Sequence, residues 1–352
     1  MTAPSTSSIV VTNHDYERHV AAAVRSALAQ RTDDRDVEVI VVDDGSTDGS
    51  LDVLREFGDE ITLVTQPNGG QGSAFNAGFA TSVGDVIVFL DADDTLEPDL
   101  VARLIDRFAD PRVGRVQFPL RTIDADGRDL GGTIPCAGDD LAAGDLRREL
   151  ARFPDDLRWQ PTTGNAFRRS VLESILPMPT APYRICADYY LSNLSPLHGE
   201  VAVLDRPGGA YRIHGANRHH AEVWTLDAVR SNIVRTHITH RLLIDEATAA
   251  GLAGLPTEPD GFASVTALAH RLVSLRLDPA AHPFPDDHRW QLVRRGVAAA
   301  RGRFDTSWAR RVAMAGWFAV AGTAPTGLVP LAARPIIRIE QPHRWWRRGR
   351  NR

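Results

Sequence analysis

Val86-Ile87-Val88-Phe89-Leu90-Asp91-Ala92-Asp93-Asp94 is the stretch on which the reading of the chain turns. Five apolar residues in a row, β-branched and aromatic among them, read as a strand buried on both faces. The run then ends in three carboxylates within four positions. Clustered carboxylates repel one another and are costly to desolvate, so such an ending needs a physical reason. A divalent cation supplies one. Mg²⁺ or Mn²⁺ takes carboxylate oxygens and shares its remaining positions with a substrate's phosphates. In an open α/β sheet the carboxyl end of a strand is also where ligands bind. The structural alternative makes Asp94 a helix cap and leaves Asp91 and Asp93 as solvated turn residues.

Towards the N-terminus the same pattern repeats. Ser8-Ile9-Val10-Val11 reads as a buried strand ending in the polar turn Thr12-Asn13-His14-Asp15, with a helix over 16–30. Val37 to Val42 reads as a second strand, ending in Asp43-Asp44-Gly45-Ser46-Thr47-Asp48-Gly49. Ser46 or Thr47 is placed to cap the helix that follows. A third strand spans 61–64, and the loop Gln66-Pro67-Asn68-Gly69-Gly70-Gln71-Gly72 leads into a helix carrying Asn76. Strands and helices alternating at this spacing imply right-handed crossovers and a parallel sheet. Three polar strand ends on one edge of that sheet make one site. No GxGxxG follows the first strand and no GxxxxGK[ST] occurs, which removes the main support for a dinucleotide dehydrogenase or a P-loop NTPase.

Past a helix at 97–109 the pattern loosens. Residues 115–122 and the stretch after Asp126-Gly127 predict a hairpin, and 141–152 a helix. A further helix ends before Pro177, another carries Ile185 to Leu191, and strands follow at 201–204 and 209–213. From about 221 to 317 the pattern is helical, broken by Pro256, Pro259 and prolines between 279 and 285.

Composition sets the outer bounds. The 352 residues, 43% apolar, suffice for one large or two smaller domains, and a net charge of −5 gives no nucleic-acid signature. Two cysteines, Cys136 and Cys186, cannot form a disulfide framework or a four-ligand zinc site, which fits a reduced cytoplasmic setting. No signal peptide is visible. The C-terminal stretch differs. From Val312 to Ala333 no residue is charged, but Thr323, Pro325, Gly327 and Pro330 interrupt it. Beyond it, seven arginines face one acid, Glu340, with Trp345 and Trp346 among them. Two readings stand: peripheral contact with an anionic membrane at its inner face, or apolar helices packed on the domain with a basic tail.

Taken together, the motifs resemble glycosyltransferase family 2. The matching pieces are Ser8 to Asn13, Val41 to Asp48, Asn68 to Gly72, Phe89 to Asp94, Ala187-Asp188 and Tyr211-Arg212-Ile213-His214, in the family's order and spacing. The resemblance implies a GT-A fold: an α/β, Rossmann-like, mostly parallel sheet flanked by helices. It would occupy 1–217, with a nucleotide-binding half at about 7–110 and an acceptor half at about 111–217. A helical region (218–320) and an apolar, basic tail (321–352) would follow.

The resemblance also implies a nucleotide-diphosphate sugar donor, by default a UDP-sugar, with Mn²⁺ or Mg²⁺ and inversion at the anomeric carbon. Thr12, Asn13 and Asp15 then sit where the family holds the nucleotide base. Asp43 and Asp44 sit where a carboxylate accepts a base N–H. Asn68, Gly69, Gly70 and Gln71 form the loop that approaches the nucleotide. Asp91 faces ribose or metal, and Asp93 is the leading metal ligand. Arg212 and His214 fall on the diphosphate side, His214 as a further ligand. Asp188 is the general base, although Ala187 replaces the acid that commonly precedes it in the family. Trp159, Gly164, Asn165 and Tyr189 are candidates for the acceptor pocket, where sugars stack on aromatic faces. The acceptor could be a glycan, a lipid-linked glycan or a small molecule. Two other functions compete: a nucleotidyltransferase, and a non-catalytic nucleotide- or sugar-binding protein. The first would favour a basic, glycine-rich turn after the first strand, which is missing. Loss of Asp93 or Asp188 would signal the second, and both are present.

Overall fold

The structure, a computed structural model, describes residues 6–32, 36–136, 140–214 and 225–333. The arginine- and tryptophan-rich stretch from Arg334 onward lies outside the described residues.

The strands are β1 (Thr6–Asn13), β2 (Asp36–Asp43), β3 (Thr62–Thr65), β4 (Val86–Asp91), β5 (Thr95–Leu96), β6 (Val113–Gln117), β7 (Leu120–Ile123), β8 (Asp129–Ile134), β9 (Asn165–Arg168), β10 (Glu200–Val203) and β11 (Gly209–Arg212). The helices are α1 (Val20–Leu28), α2 (Ser50–Arg55), α3 (Gln71–Thr81), α4 (Leu100–Phe108), α5 (Arg147–Leu150), α6 (Arg169–Ile175), α7 (Ala187–Leu194), α8 (Leu226–Ala249), α9 (Val265–Leu277), α10 (Arg289–Gly302) and α11 (Trp308–Thr323). They fall into two compact units, one drawn from Met1–Leu146 and Arg158–Gly215, the other from Arg147–Leu157 and Ala216–Arg347.

The first unit is built on a seven-stranded sheet of order β10-β6-β9-β4-β1-β2-β3. β3, β2, β1 and β4 run parallel, and β9 is antiparallel to both β4 and β6. β4 is central, and Val86 to Leu90 are at most 1% exposed, as an apolar strand covered on both faces requires. On one face, Ile9, Val11, Val39, Val41, Val88 and Leu90 pack with Val20, Val24 and Ala27 of α1 and with Leu100, Leu104 and Phe108 of α4. On the other, Phe75 of α3 stacks on Phe89 at 4.2 Å. A second sheet, β5-β11-β7-β8, completes the unit.

Two local readings are corrected. The hairpin pairs β7 with β8, whereas β6 joins the main sheet. Pro119 lies between β6 and β7, where the chain passes from one sheet to the other. The helix expected over 141–152 is confined to α5, because Gly144 instead exchanges backbone hydrogen bonds with Val201 and Ala142 N donates to Arg158 O.

The second unit is helical. Leu268, Ala269 and Leu272 of α9 pack with Leu292, Ala299 and Ala300 of α10 and Phe318 and Ala321 of α11. Two of its buried side chains meet carboxylates: Arg303 Nη1 lies 2.8 Å from Asp156, and His240 Nε2 lies 2.8 Å from Asp155. Among the described residues no helix is long and apolar enough to cross a membrane.

Candidate active site

Strand register gathers the three polar strand ends. Asn13 lies opposite Asp43, and Thr12 lies opposite Asp91. The carboxyl ends of β1, β2 and β4 therefore share one edge, the position where open α/β sheets bind ligands.

Much of this edge is spent on shaping itself. Asp43 Oδ2 accepts from Asn13 Nδ2 (2.7 Å) and Ser46 Oγ (2.6 Å), and Oδ1 accepts from Ser46 N (3.0 Å). Asp15 has a left-handed backbone, φ +61°, and its Oδ1 accepts from Thr47 N at 2.6 Å. Neither Ser46 nor Thr47 caps α2, whose N-cap is Gly49 without a side-chain bond. Asp44 accepts from Gln66 Nε2 (2.6 Å), Gly69 N (2.8 Å) and Gly70 N (2.7 Å). It thus holds the glycine loop against the end of β2. Asn68 Nδ2 lies 2.9 Å from His14 Nε2 across the same edge.

Gly70 is needed for its backbone. Its φ is +86°, and a Cβ there would sit 2.6 Å from Arg184 Cα. Gln71 N donates to Arg184 O at 2.9 Å, so the loop and the 183–184 segment are tied. Gly70→Ala is expected to cost about 1–3 kcal/mol, read as a lower midpoint of thermal or urea unfolding.

The acidic end of β4 divides into different roles. Asp94 is 1% exposed and accepts from Thr163 Oγ1 (2.7 Å) and Arg212 N (2.9 Å). Burial, followed by the charges of Asp93 and Asp91, pushes its pKa well above the carboxylate range. Asp94 is therefore a structural hub, and the alternative that makes it a helix cap does not hold; the N-cap of α4 is Asp99. The pKa of Asp91 is pushed up to about 7, first by burial and then by the charges of Asp93 and Asp188, against hydrogen bonds from Thr162 and Gln71. Asp93 Oδ2 lies 3.1 Å from His214 Nε2. The His214 ring stacks on His19 at 5.1 Å and meets Tyr16 edge-on at 5.9 Å.

Asp91, Asp93 and His214 do not form a three-ligand set; among the described residues no three His, Cys, Asp or Glu side chains are gathered to hold a metal. The Asp93–His214 pair still fits a cation that takes one or two protein ligands and completes its sphere with phosphates. Arg212, expected on the diphosphate side, is tied to backbone carbonyls. It is 5% exposed, its Nε donates to Asp93 O (2.7 Å), and its Nη1 donates to Asp124 O and Ala125 O (both 3.2 Å). It braces the turn that carries the acids.

Gln71 links this edge to α7. Its Nε2 donates to Asp91 Oδ1 (3.2 Å) and Thr162 Oγ1 (3.1 Å), while its Oε1 accepts from Ala187 N (2.9 Å). Asp188 stands in the first turn of α7, half-buried, close enough that its charge acts on Asp91 and on Arg115. Tyr189 is half-buried beside it. Trp159 lies over the Arg115 guanidinium at 4.6 Å, and its buried Nε1 has no hydrogen-bond partner among the described residues. Asn165 does not line a pocket. It is 1% exposed, Oδ1 accepts from Arg115, and Nδ2 donates to the carbonyls of Gln160, Pro161 and Thr162. Gly164 is buried against Gln160. Thr162, Thr163, Gln66 and Arg115 carry the architecture of the site but have no motif around them, because their partners lie 22 to 91 residues away.

Residues 8–176 match the family described as Glycosyl transferase family 2. An uncharacterized glycosyltransferase of Nostoc sp. is 38% identical over 220 residues, covering 60% of this chain and 66% of that protein. A chondroitin synthase of Escherichia coli is 36% identical over 124 residues, 34% of this chain and 18% of the synthase. The chain thus spans less than two thirds of either relative. The crystal structure of S. aureus TarS 1–349 in complex with UDP-GlcNAc superposes with a TM-score of 0.51 at 15% identity, covering 97% of this chain and 89% of that one. The sheet order, the acid-rich strand edge and these matches agree: residues 8–176 form a glycosyltransferase family 2 domain with the GT-A fold.

Proposed function

We propose that the protein transfers a sugar, with inversion, from a nucleotide-diphosphate sugar to an acceptor hydroxyl. The observation that carries this reading is the junction made by Gln71, which ties the nucleotide-side acid Asp91 to the first residue of the helix bearing Asp188. Donor and acceptor functions then meet at one place. Asp188 takes the proton of the acceptor hydroxyl as its oxygen attacks the anomeric carbon from the face opposite the leaving group. The bond to the diphosphate oxygen breaks, and the nucleoside diphosphate leaves. Asp93 and His214 would hold a divalent cation, which when bound neutralises charge on the departing diphosphate. Trp159 and Tyr189 are the aromatic surfaces for the acceptor.

A uridine diphosphate sugar is the default donor, supported by the fold neighbour solved with UDP-GlcNAc. A lipid-linked acceptor at the inner face of an anionic membrane is the class favoured by the second unit. The outer face of α11 is apolar: Trp308 is 76% exposed, Val312 52% and Val320 57%. From Arg289 to Arg352 fourteen arginines face two acids. Apolar surface beside arginine suits a headgroup layer.

The test is to incubate the chain with UDP-sugars and Mn²⁺ or Mg²⁺, with lipid-linked and glycan acceptors. Release of UDP should accompany a product of inverted anomeric configuration by NMR. A retained configuration would contradict the mechanism.

A further inference from the structure

Arg115 lies in β6 and is 0% exposed. Its guanidinium donates to Asn165 Oδ1 (3.1 Å from Nε, 2.6 Å from Nη2), Gln117 Oε1 (3.2 Å), and the carbonyl and hydroxyl oxygens of Ser192 (both 3.1 Å). All of these acceptors are neutral. Trp159 and Phe167 add ring faces at 4.6 and 5.7 Å. Neutral acceptors satisfy the N–H groups without cancelling the charge, and a buried cation lacking a counter-ion is costly to the fold. In the second unit Arg271 and Arg303 instead meet carboxylates. Burial pulls the Arg115 pKa down to about 9, and the carboxylate of Asp188 is the charge that opposes this.

The connection to Asp188 is also mechanical. Ser192 stands four residues after Asp188 on α7, so both lie on one face of the helix a turn apart. Arg115 therefore anchors the base helix by Ser192 and directs its charge towards the same face.

We propose that Arg115 is a positioning residue for the transfer, holding α7 through Ser192 and placing a buried positive charge against the helix that carries Asp188. The inference rests on Asp188 being the general base.

Two variants separate charge from bracing. Arg115→Gln keeps hydrogen-bond donors and loses the charge; Arg115→Lys keeps the charge and loses the fork. Arg115→Gln should lower kcat for UDP release from UDP-sugars by about tenfold, a typical coupling within one network. UDP affinity should stay unchanged, and Arg115→Lys should retain most of the activity. The opposite ranking, or unfolding of both variants, would make Arg115 a brace only and overturn the proposal. A double-mutant cycle isolates the base. With Asp188→Asn already present, Arg115→Gln should change turnover no further. An equal loss in that background defeats the Arg115 inference alone. Normal turnover in Asp188→Asn alone defeats the reading of the base, and this inference with it.

Discussion

Asp188→Asn is expected to lower turnover by about 10²–10⁴-fold while leaving nucleoside diphosphate affinity nearly unchanged. Asparagine keeps the size and an oxygen acceptor, so Tyr189 N, which lies 2.9 Å from Asp188 Oδ1, keeps a partner. What is lost is the capacity to take a proton. Donor affinity should survive because the contacts assigned to the nucleotide lie at the ends of β1, β2 and β4, and Asp188 acts on them through its charge on Asp91. Turnover is read by UDP release and affinity by calorimetry on the same preparation. A collapse of affinity with turnover would move Asp188 to the donor side. Unchanged turnover would remove it from the chemistry.

The second large effect is expected at Asp93. Asp93→Ala should abolish metal-dependent binding of nucleoside diphosphate, so that binding in Mn²⁺ falls to the level measured in chelator. Thermal stability should hold or rise. Asp93 raises the pKa of both Asp91 and Asp94, so removing its charge relieves repulsion at the buried end of β4. His214 loses a partner at 3.1 Å but keeps its packing on His19 and Tyr16. Loss of binding in a fully folded variant would therefore report on the cation. Wild-type affinity in Mn²⁺ would mean that Asp93 is no ligand.

Local chemistry made the sheet edge legible. A short, β-branched apolar run such as Val86 to Leu90, bounded by turn residues, reads as a covered strand, and strand ends rich in Asp and Asn mark the side where such strands stop. Asn13, Asp43, Asp91 and Asp93 could be placed on one edge for that reason. The tasks of individual side chains were less legible, since they depend on partners distant in sequence. Asp44 carries the same motif whether it meets a nucleotide or the Gly69 and Gly70 amides. Arg212 sits beside His214 in sequence, yet its guanidinium turns to the carbonyls of Asp93, Asp124 and Ala125. Asn165 looked like a polar pocket residue until Arg115, 50 positions earlier, claimed its oxygen. The weak helix at 141–152 failed for a related reason: a single backbone pairing with Val201 outweighs propensity.

Calorimetric titration of the full chain with UDP, GDP, CDP and ADP, each in Mn²⁺, in Mg²⁺ and in chelator, tests the central claim most directly. The account predicts that one nucleotide, UDP by default, binds in the presence of a divalent cation and loses most of its affinity in chelator. If no nucleoside diphosphate bound with either metal, the edge formed by Asn13, Asp43, Asp91 and Asp93 would not be a donor site, and the account of its chemistry would fail.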